Sequence, residues 1–272
     1  MVLECYFDGA NKPTPEHDRV VLATACGKSE QWQGFASAWN DLLKHFPAPP
    51  LHTKEAASLR GDFSREHGWD HDSVDDFISE AVRIIEKHIA YQLPLSRKFT
   101  SGLFVATLTI PLDDWKRARE VVTLPNSINE ILTSESMGFG FAWGREIRAE
   151  SYHFHFDQGE NFRGHALDRI SRKEIREDVP IFEKVSVFPE ADSNLTPPLQ
   201  MADLFAWCIA HNDDKIKRSW HPVLNDLSWE SKILTYDYLI KPSQKAIERT
   251  LNWNTPPRGM QPKKPKVAPS ST

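Results

Sequence analysis

The fold is decided by Leu199-Gln200-Met201-Ala202-Asp203-Leu204-Phe205-Ala206-Trp207-Cys208-Ile209-Ala210, a stretch that is apolar apart from Gln200 and the carboxylate of Asp203. It follows Pro197-Pro198, and proline favours the first turn of a helix. Because both faces of the predicted helix are apolar, we expect the helix to be buried. A buried carboxylate needs a cationic partner or a metal ion. Asp203 therefore belongs either to a structural ion pair or to a cation site.

The composition is that of a globular protein with a sizeable core: 272 residues, a formal net charge of −5 and three cysteines. Because the net charge is negative, a nucleic-acid partner would have to bind a local patch. Cys5, Cys26 and Cys208 lie far apart in apolar segments, which predicts reduced thiols in the core. No segment has the pattern of a signal peptide or a membrane span. We therefore expect a cytoplasmic protein without membrane association.

Alternating strand and helix patterns predict an α/β fold with a mixed β-sheet flanked by helices. Residues 1–212 are expected to form one domain, residues 213–254 a helical extension packed on it, and residues 255–272 a disordered basic tail. Strand patterns occur at Val2–Phe7, Arg19–Ala25, Leu103–Ile110, Tyr152–Asp157 and Ile181–Phe188. Helical periods occur at Trp32–Phe46, Ser73–Ile89, Ile128–Ile147, Gly164–Arg176 and Leu199–Ala210.

Four carboxylates stand at positions that favour a shared site. Asp8 and Asp157 each end a predicted strand, Glu55 lies at a change from strand to helix, and Asp203 lies in the buried helix. If the fold brings them to one edge of the sheet, their charges would repel each other without cations, and carboxylate-only ligation suits Mg²⁺ or Mn²⁺. Two such ions about 3.5–4 Å apart stabilise the attacking and leaving oxygens of a phosphoryl displacement. The pattern therefore predicts phosphodiester hydrolysis.

Five segments resemble a known family: Tyr6-Phe7-Asp8, Leu51-His52-Thr53-Lys54-Glu55, Phe156-Asp157-Gln158, Ser193 and Leu199-Gln200-Met201-Ala202-Asp203-Leu204. The family is the bacterial domain of unknown function 3800, which looks like a member of the ribonuclease H-like superfamily. The most specific match is the helix with the order Gln, apolar, Ala, Asp, apolar. The order strand Asp, Glu, strand Asp, helix Asp also matches the acidic quartet of that superfamily.

The resemblance implies a ribonuclease H-like, metal-dependent nuclease that acts on DNA or RNA, with a protein regulator or a bacterial defence context as further expectations. One ion, held by Asp8 and Asp157, would activate a water, and a second, shared with Glu55 and Asp203, would stabilise the leaving oxygen. One departure bears on activity: the family commonly follows its first aspartate with another acid, whereas Gly9 follows Asp8 here. We therefore expect weaker or differently tuned activity.

Each candidate also has a plain structural interpretation. Asp8 and Asp157 could cap turns, and Glu55 could be a solvated charge near Lys54 and Arg60. Five further residues are accessory candidates, as acids, bases, water-orienting groups or ligand-orienting groups, with ordinary packing as the alternative: His52, His153, His155, Ser193 and Gln200.

Two other functions fit the sequence. Alternating His153, His155 and Asp157, with His52, would suit a zinc hydrolase, although a zinc site would leave Asp203 unexplained. A non-catalytic ribonuclease H-like module that binds nucleic acid or a protein fits the net charge of −5 and the missing acid after Asp8. The module predicts that Asp203→Asn leaves cellular activity intact, whereas the nuclease predicts its loss.

Overall fold

A six-stranded mixed sheet forms the centre of the computed structural model, which describes residues 1–10, 17–90, 101–158, 162–171, 180–211, 220, 223–224, 227 and 230–241. The strands are β1 (Val2–Ala10), β2 (Arg19–Lys28), β3 (Phe104–Pro111), β4 (Ser151–Phe156), β5 (Val185–Val187) and β6 (Glu230–Ile233). Their order in the sheet is β5-β4-β1-β2-β3-β6. The predicted α/β class, with a mixed sheet flanked by helices, is confirmed.

Strands β1, β2 and β3 are antiparallel neighbours, whereas β4 runs parallel to β1, β5 parallel to β4 and β6 parallel to β3. Because successive residues of a strand point to opposite faces, Leu3, Cys5 and Phe7 enter one core while Tyr6 enters the other. The sheet therefore separates two cores.

Helices flank the sheet, and those with assigned bounds are α1 (Ser29–His45), α2 (Thr53–Ser58), α3 (His71–His88), α4 (Leu112–Val121), α5 (Ile128–Glu146), α6 (Phe162–Ser171) and α7 (Pro197–Ala210). Helices α1, α3 and α7 pack on the face that Tyr6 enters, and α4, α5 and α6 pack on the other. The three cysteines are buried and form no disulfide bond with one another, as the sequence predicts.

Helix α7 lies directly over β1 and β2 and also contacts α1. Its prolines occupy the first turn, and its apolar residues are buried on both sides, including Leu199, Leu204 and Phe205. Burial of each large apolar side chain contributes roughly 1.5–3 kcal/mol. The predicted buried helix is therefore confirmed, and it fixes Asp203 over the middle of the sheet.

The predicted helical extension contributes a strand to the sheet. Residues 230–233 form β6 beside β3, and residues 236–241 are helical. Leu234 and Leu239 are buried in the same core as Phe156. The sequence Glu-Ser-Lys-Ile gave no strand signal because it lacks alternating apolar residues. The remainder of residues 213–254, except 220, 223–224 and 227, and the predicted tail at 255–272 lie outside the described residues.

No helix in the described ranges combines the length and the apolar character needed to cross a membrane.

Candidate active site

Asp8 and Asp157 occupy neighbouring positions on two parallel strands. Phe7 pairs in register with Phe156, and the Asp157 N–H donates to the Phe7 carbonyl over 3.1 Å. The next residues, Asp8 and Asp157, therefore lie side by side on the face opposite Phe7 and Phe156, which is the face that α7 covers. Strand β1 continues to Ala10, so Asp8 lies within the strand rather than at its predicted end.

Helix α7 holds the segment before α2 with two side chains one turn apart. Asp203 Oδ2 accepts the Thr53 N–H at 2.7 Å, and Gln200 Oε1 accepts the Leu51 N–H at 2.9 Å. His52 lies between these two residues and is exposed. It is close enough to Asp157 and Asp203 to act on the pKa of both carboxyl groups.

The surroundings of Asp203 decide between its two predicted roles. Its side chain is only partly buried, and none of the lysines and arginines in the described segments forms an ion pair with it. The Thr53 N–H, at the first turn of α2, and nearby His52 are its favourable electrostatic neighbours. The structure therefore does not support a structural ion pair for Asp203. A role of Asp203 in holding α2 in place and a role in binding a cation both fit these contacts.

Burial raises the pKa of both carboxyl groups near α7. For Asp157 the loss of solvent is the largest cause, and the nearby Asp203 charge adds to it, while Gln158, Ser193 and His52 act in the opposite direction. For Asp203 the loss of solvent again raises the pKa, and the Thr53 N–H and His52 lower it. Two close carboxylates in reduced solvent resist carrying two charges at once.

One oxygen of this pair is an unsatisfied acceptor. Asp157 Oδ1 is buried and has no hydrogen-bond donor among the described residues. A buried acceptor without a partner costs roughly 1–3 kcal/mol. A cation or a protonated partner would remove this cost, and the low exposure of Asp8, at 8%, places a further carboxylate in the same shielded layer.

Glu55 is not brought to the three aspartates. It lies in the first turn of α2, but its carboxylate turns back against Gly61, where a Cβ atom would approach Oε2 to 2.2 Å. Glu55 is not among the groups that shift the pKa of Asp157 or Asp203. The predicted quartet is therefore assembled in part: Asp8, Asp157 and Asp203 lie at the sheet, whereas the Glu55 carboxylate lies against Gly61.

The arrangement of possible metal ligands is correspondingly incomplete. Among the residues that the structure describes, no group of three or more His, Cys, Asp or Glu side chains is placed to hold a metal ion. The Asp157 and Asp203 carboxylates and the unsatisfied Oδ1 atom nevertheless have the oxygen chemistry that a hard divalent cation prefers. The residues fit such an ion as a pair of aspartates with Asp8 alongside, rather than as a closed cage.

The strand histidines are held in ring contacts. The His155 ring stacks on Tyr6 and on Phe188, with centroids 4.6 Å away in each case, and His153 contacts Phe188 at 4.9 Å. Burial lowers the pKa of His155, a shift that Glu4 opposes and His153 reinforces. This packing gives the zinc hydrolase no support.

The two polar accessory candidates have defined contacts. Gln200 is buried, and its amide also accepts from Trp39 Nε1 at 2.8 Å and donates to the Ser193 carbonyl at 2.9 Å. Its bonds are all made to protein groups, so its observed role is to fasten chain segments. The Ser193 side chain, by contrast, interacts with Asp157 and lowers the pKa of that carboxyl.

Sequence reasoning missed three residues at this edge. Thr53 supplies the N–H that orients Asp203, Phe188 covers His155, and Arg163 Nε donates to the Phe188 carbonyl at 2.7 Å. Backbone groups carry no sequence signal, and only the parallel pairing of β4 with β5 brings Phe188 beside His155.

Comparison with known proteins does not identify the chain: no protein-family model matches it, and no curated protein sequence matches it. The resemblance to the domain of unknown function 3800 family therefore stays a prediction.

Proposed function

We propose that the protein is a metal-dependent nuclease of the ribonuclease H-like type, which hydrolyses phosphodiester bonds with Mg²⁺ or Mn²⁺. The observation that carries the proposal is the pair Asp157 and Asp203, two partly buried carboxylates with raised pKa values and one unsatisfied oxygen, next to Asp8. Buried carboxylate oxygens normally have a hydrogen-bond donor or a cationic partner. Asp157 Oδ1 has no donor among the described residues, and no lysine or arginine there forms an ion pair with either carboxylate, so the pair is suited to a cation.

The positions of the aspartates in the fold also support the proposal. Asp8 lies on β1, Asp157 directly follows the adjacent parallel strand β4, and Asp203 projects from the helix that crosses β1. This is the order of strand, strand and helix carboxylates that the family resemblance implies. Glu55 departs from it, which is consistent with the weaker or differently tuned activity expected from Gly9.

Asp157 and Asp203 would hold the ion, with Asp8 alongside, and the ion when bound would stabilise charge on a phosphate and make a nearby water more acidic. The chain's own groups have separate tasks. The Thr53 N–H orients the Asp203 carboxylate, and Ser193 positions Asp157. His52, exposed beside both carboxylates, is placed to give a proton to the leaving oxygen.

The test is cleavage of labelled single-stranded and double-stranded DNA and RNA, with Mg²⁺, with Mn²⁺ and with a chelator. We compare the wild type with Asp157→Asn and Asp203→Asn, which keep the side-chain shape and an acceptor oxygen. Asp113→Asn is the matched control, because Asp113 is a carboxylate on α4 that is 91% exposed. We expect metal-dependent cleavage that falls by at least about a hundredfold in both site variants and is unchanged in the control.

Isothermal titration with Mn²⁺ separates a failed enzyme from a failed site. If the wild type binds metal, Asp203→Asn does not, and neither cleaves any substrate, the cation site is supported and the nuclease proposal is refuted. If neither cleavage nor metal binding occurs, the non-catalytic binding module becomes the better description.

A further inference from the structure

Next to the aspartates lies a column of three stacked rings. Tyr6 on β1, His155 on β4 and Phe188 after β5 stack with interplanar angles of 12° and 17° and centroid separations of 4.6 Å. Tyr6 is buried, whereas His155 and Phe188 are partly exposed. Since β5 is the edge strand among the described residues, Phe188 is the outermost ring of the column.

The column is continuous with the proposed cleavage site. His155 precedes Asp157 by two residues on the same face of β4, a separation of about 6–7 Å along a strand. Arg163, on helix α6 of the other face, reaches this edge of the sheet, where its Nε–H donates to the Phe188 carbonyl at 2.7 Å. None of the described carboxylates forms an ion pair with Arg163, so the rest of its guanidinium is available to an anion such as a phosphate.

We infer that the ring column of Tyr6, His155 and Phe188, with Arg163, binds single-stranded nucleic acid by stacking a base on Phe188 and contacting a phosphate with Arg163. This inference rests on the proposed function, because it names single-stranded nucleic acid as the substrate class of the proposed cleavage site. A base is a flat ring and would extend the column as its next member. The strand would then continue past His155 toward Asp157.

The charge of the protein favours a single strand over a duplex. Duplex binding depends mainly on neutralising many phosphates with lysine and arginine, whereas this chain has a net charge of −5. Stacking on aromatic rings adds binding energy that does not come from phosphate neutralisation, and it needs bases whose faces are accessible, which paired bases within a helix do not offer.

The test is fluorescence anisotropy with a labelled DNA strand, the same sequence in RNA, and the matching duplex. The host is the Asp203→Asn protein, in which binding is measured without cleavage. Phe188→Leu keeps an apolar side chain but removes the ring, and we expect it to weaken single-strand binding by at least about fivefold. Phe188→Trp should retain or strengthen binding. Tyr236→Ala is the matched control, since Tyr236 is a partly buried ring on Arg117 near the opposite edge of the sheet.

Arg163→Gln supplies a second, independent readout. It should weaken binding of every sequence and reduce the slope of log affinity against log salt by about 0.7, the value for one phosphate of a single strand. The DNA and RNA arms show which strand is preferred.

The inference is overturned if folded Phe188→Leu binds single strands as its host does, if the duplex binds as tightly as the single strand, or if no oligonucleotide binds. If binding depends on Phe188 but the wild type cleaves nothing, the nuclease proposal is refuted and the binding surface is supported. If cleavage needs Asp203 but is unchanged by Phe188→Leu, the nuclease proposal is supported and the binding surface is refuted.

Discussion

The side-chain amide of Gln200 connects three separate parts of the chain by hydrogen bonds. It bonds Trp39 on α1, the Leu51 N–H and the Ser193 carbonyl, all in buried surroundings. Gln200→Leu would leave the Trp39 Nε1–H and the Leu51 N–H without partners, whereas the Ser193 carbonyl still accepts the Thr196 N–H at 3.2 Å. Each unsatisfied buried group costs roughly 1–3 kcal/mol. We therefore expect the free energy of unfolding, measured with urea, to fall by about 2 kcal/mol or more.

Gln33→Leu is the control for that substitution. Gln33 is exposed on α1, and exposed substitutions usually change stability by less than about 0.5 kcal/mol. Equal losses in the two variants would contradict the fastening role of Gln200.

The raised pKa of Asp203 predicts a pH-dependent stability with a definite sign. The folded state favours the protonated carboxyl of Asp203. The stability that this group contributes to the folded state is therefore complete below its unfolded pKa of about 3.9 and is lost as the pH rises through its folded pKa. Asp203→Asn removes this titration but keeps an acceptor for the Thr53 N–H. We expect the melting temperature of the variant, relative to the wild type, to increase between about pH 4 and pH 7.

Divalent cations should act on the same charge. In melting experiments at pH 7, Mg²⁺ is expected to stabilise the wild type through binding to the folded state and to have little effect on Asp203→Asn.

The pH prediction has its own contrary outcome. If the wild type gains stability relative to Asp203→Asn as the pH rises in the absence of metal, the raised pKa of Asp203 is contradicted.

At the scale of elements, α5 approaches the sheet through particular glycines. A Cβ atom at Gly144 would lie 2.2 Å from the Tyr152 ring on β4, whereas one at Gly138 would have no neighbour within 4 Å. Gly144→Ala should therefore destabilise the protein by about 1–3 kcal/mol through overpacking. Gly138→Ala should stabilise it by roughly 0.5–1 kcal/mol, because alanine favours the helix.

Urea unfolding of the two alanine variants checks this pair. The same sign for both substitutions would show that helix propensity, rather than the distance between α5 and β4, governs these positions.

At the scale of the whole molecule, residues 234–240 contribute to the core between the sheet and helices α4, α5 and α6. Leu234 is completely buried, while its neighbour Ile233 is 56% exposed. Leu234→Ala should lower the free energy of unfolding by about 2–5 kcal/mol, and Ile233→Ala should change it by less than about 1 kcal/mol. Thermal unfolding by circular dichroism would measure both.

A single cooperative transition that shifts in Leu234→Ala is the expected pattern. If only a separate, minor transition moved, the segment would be an independent unit.

The sequence by itself determined the α/β class, the buried helix α7 and the strand that contains Asp8, because hydrophobic period and proline position are local properties. The tertiary structure decided which charges meet. Parallel pairing of β1 with β4 placed Asp8 beside Asp157, and backbone N–H groups at Leu51 and Thr53 oriented the α7 side chains. Glu55 turned toward Gly61, an outcome set by contacts between elements, which no local pattern encodes.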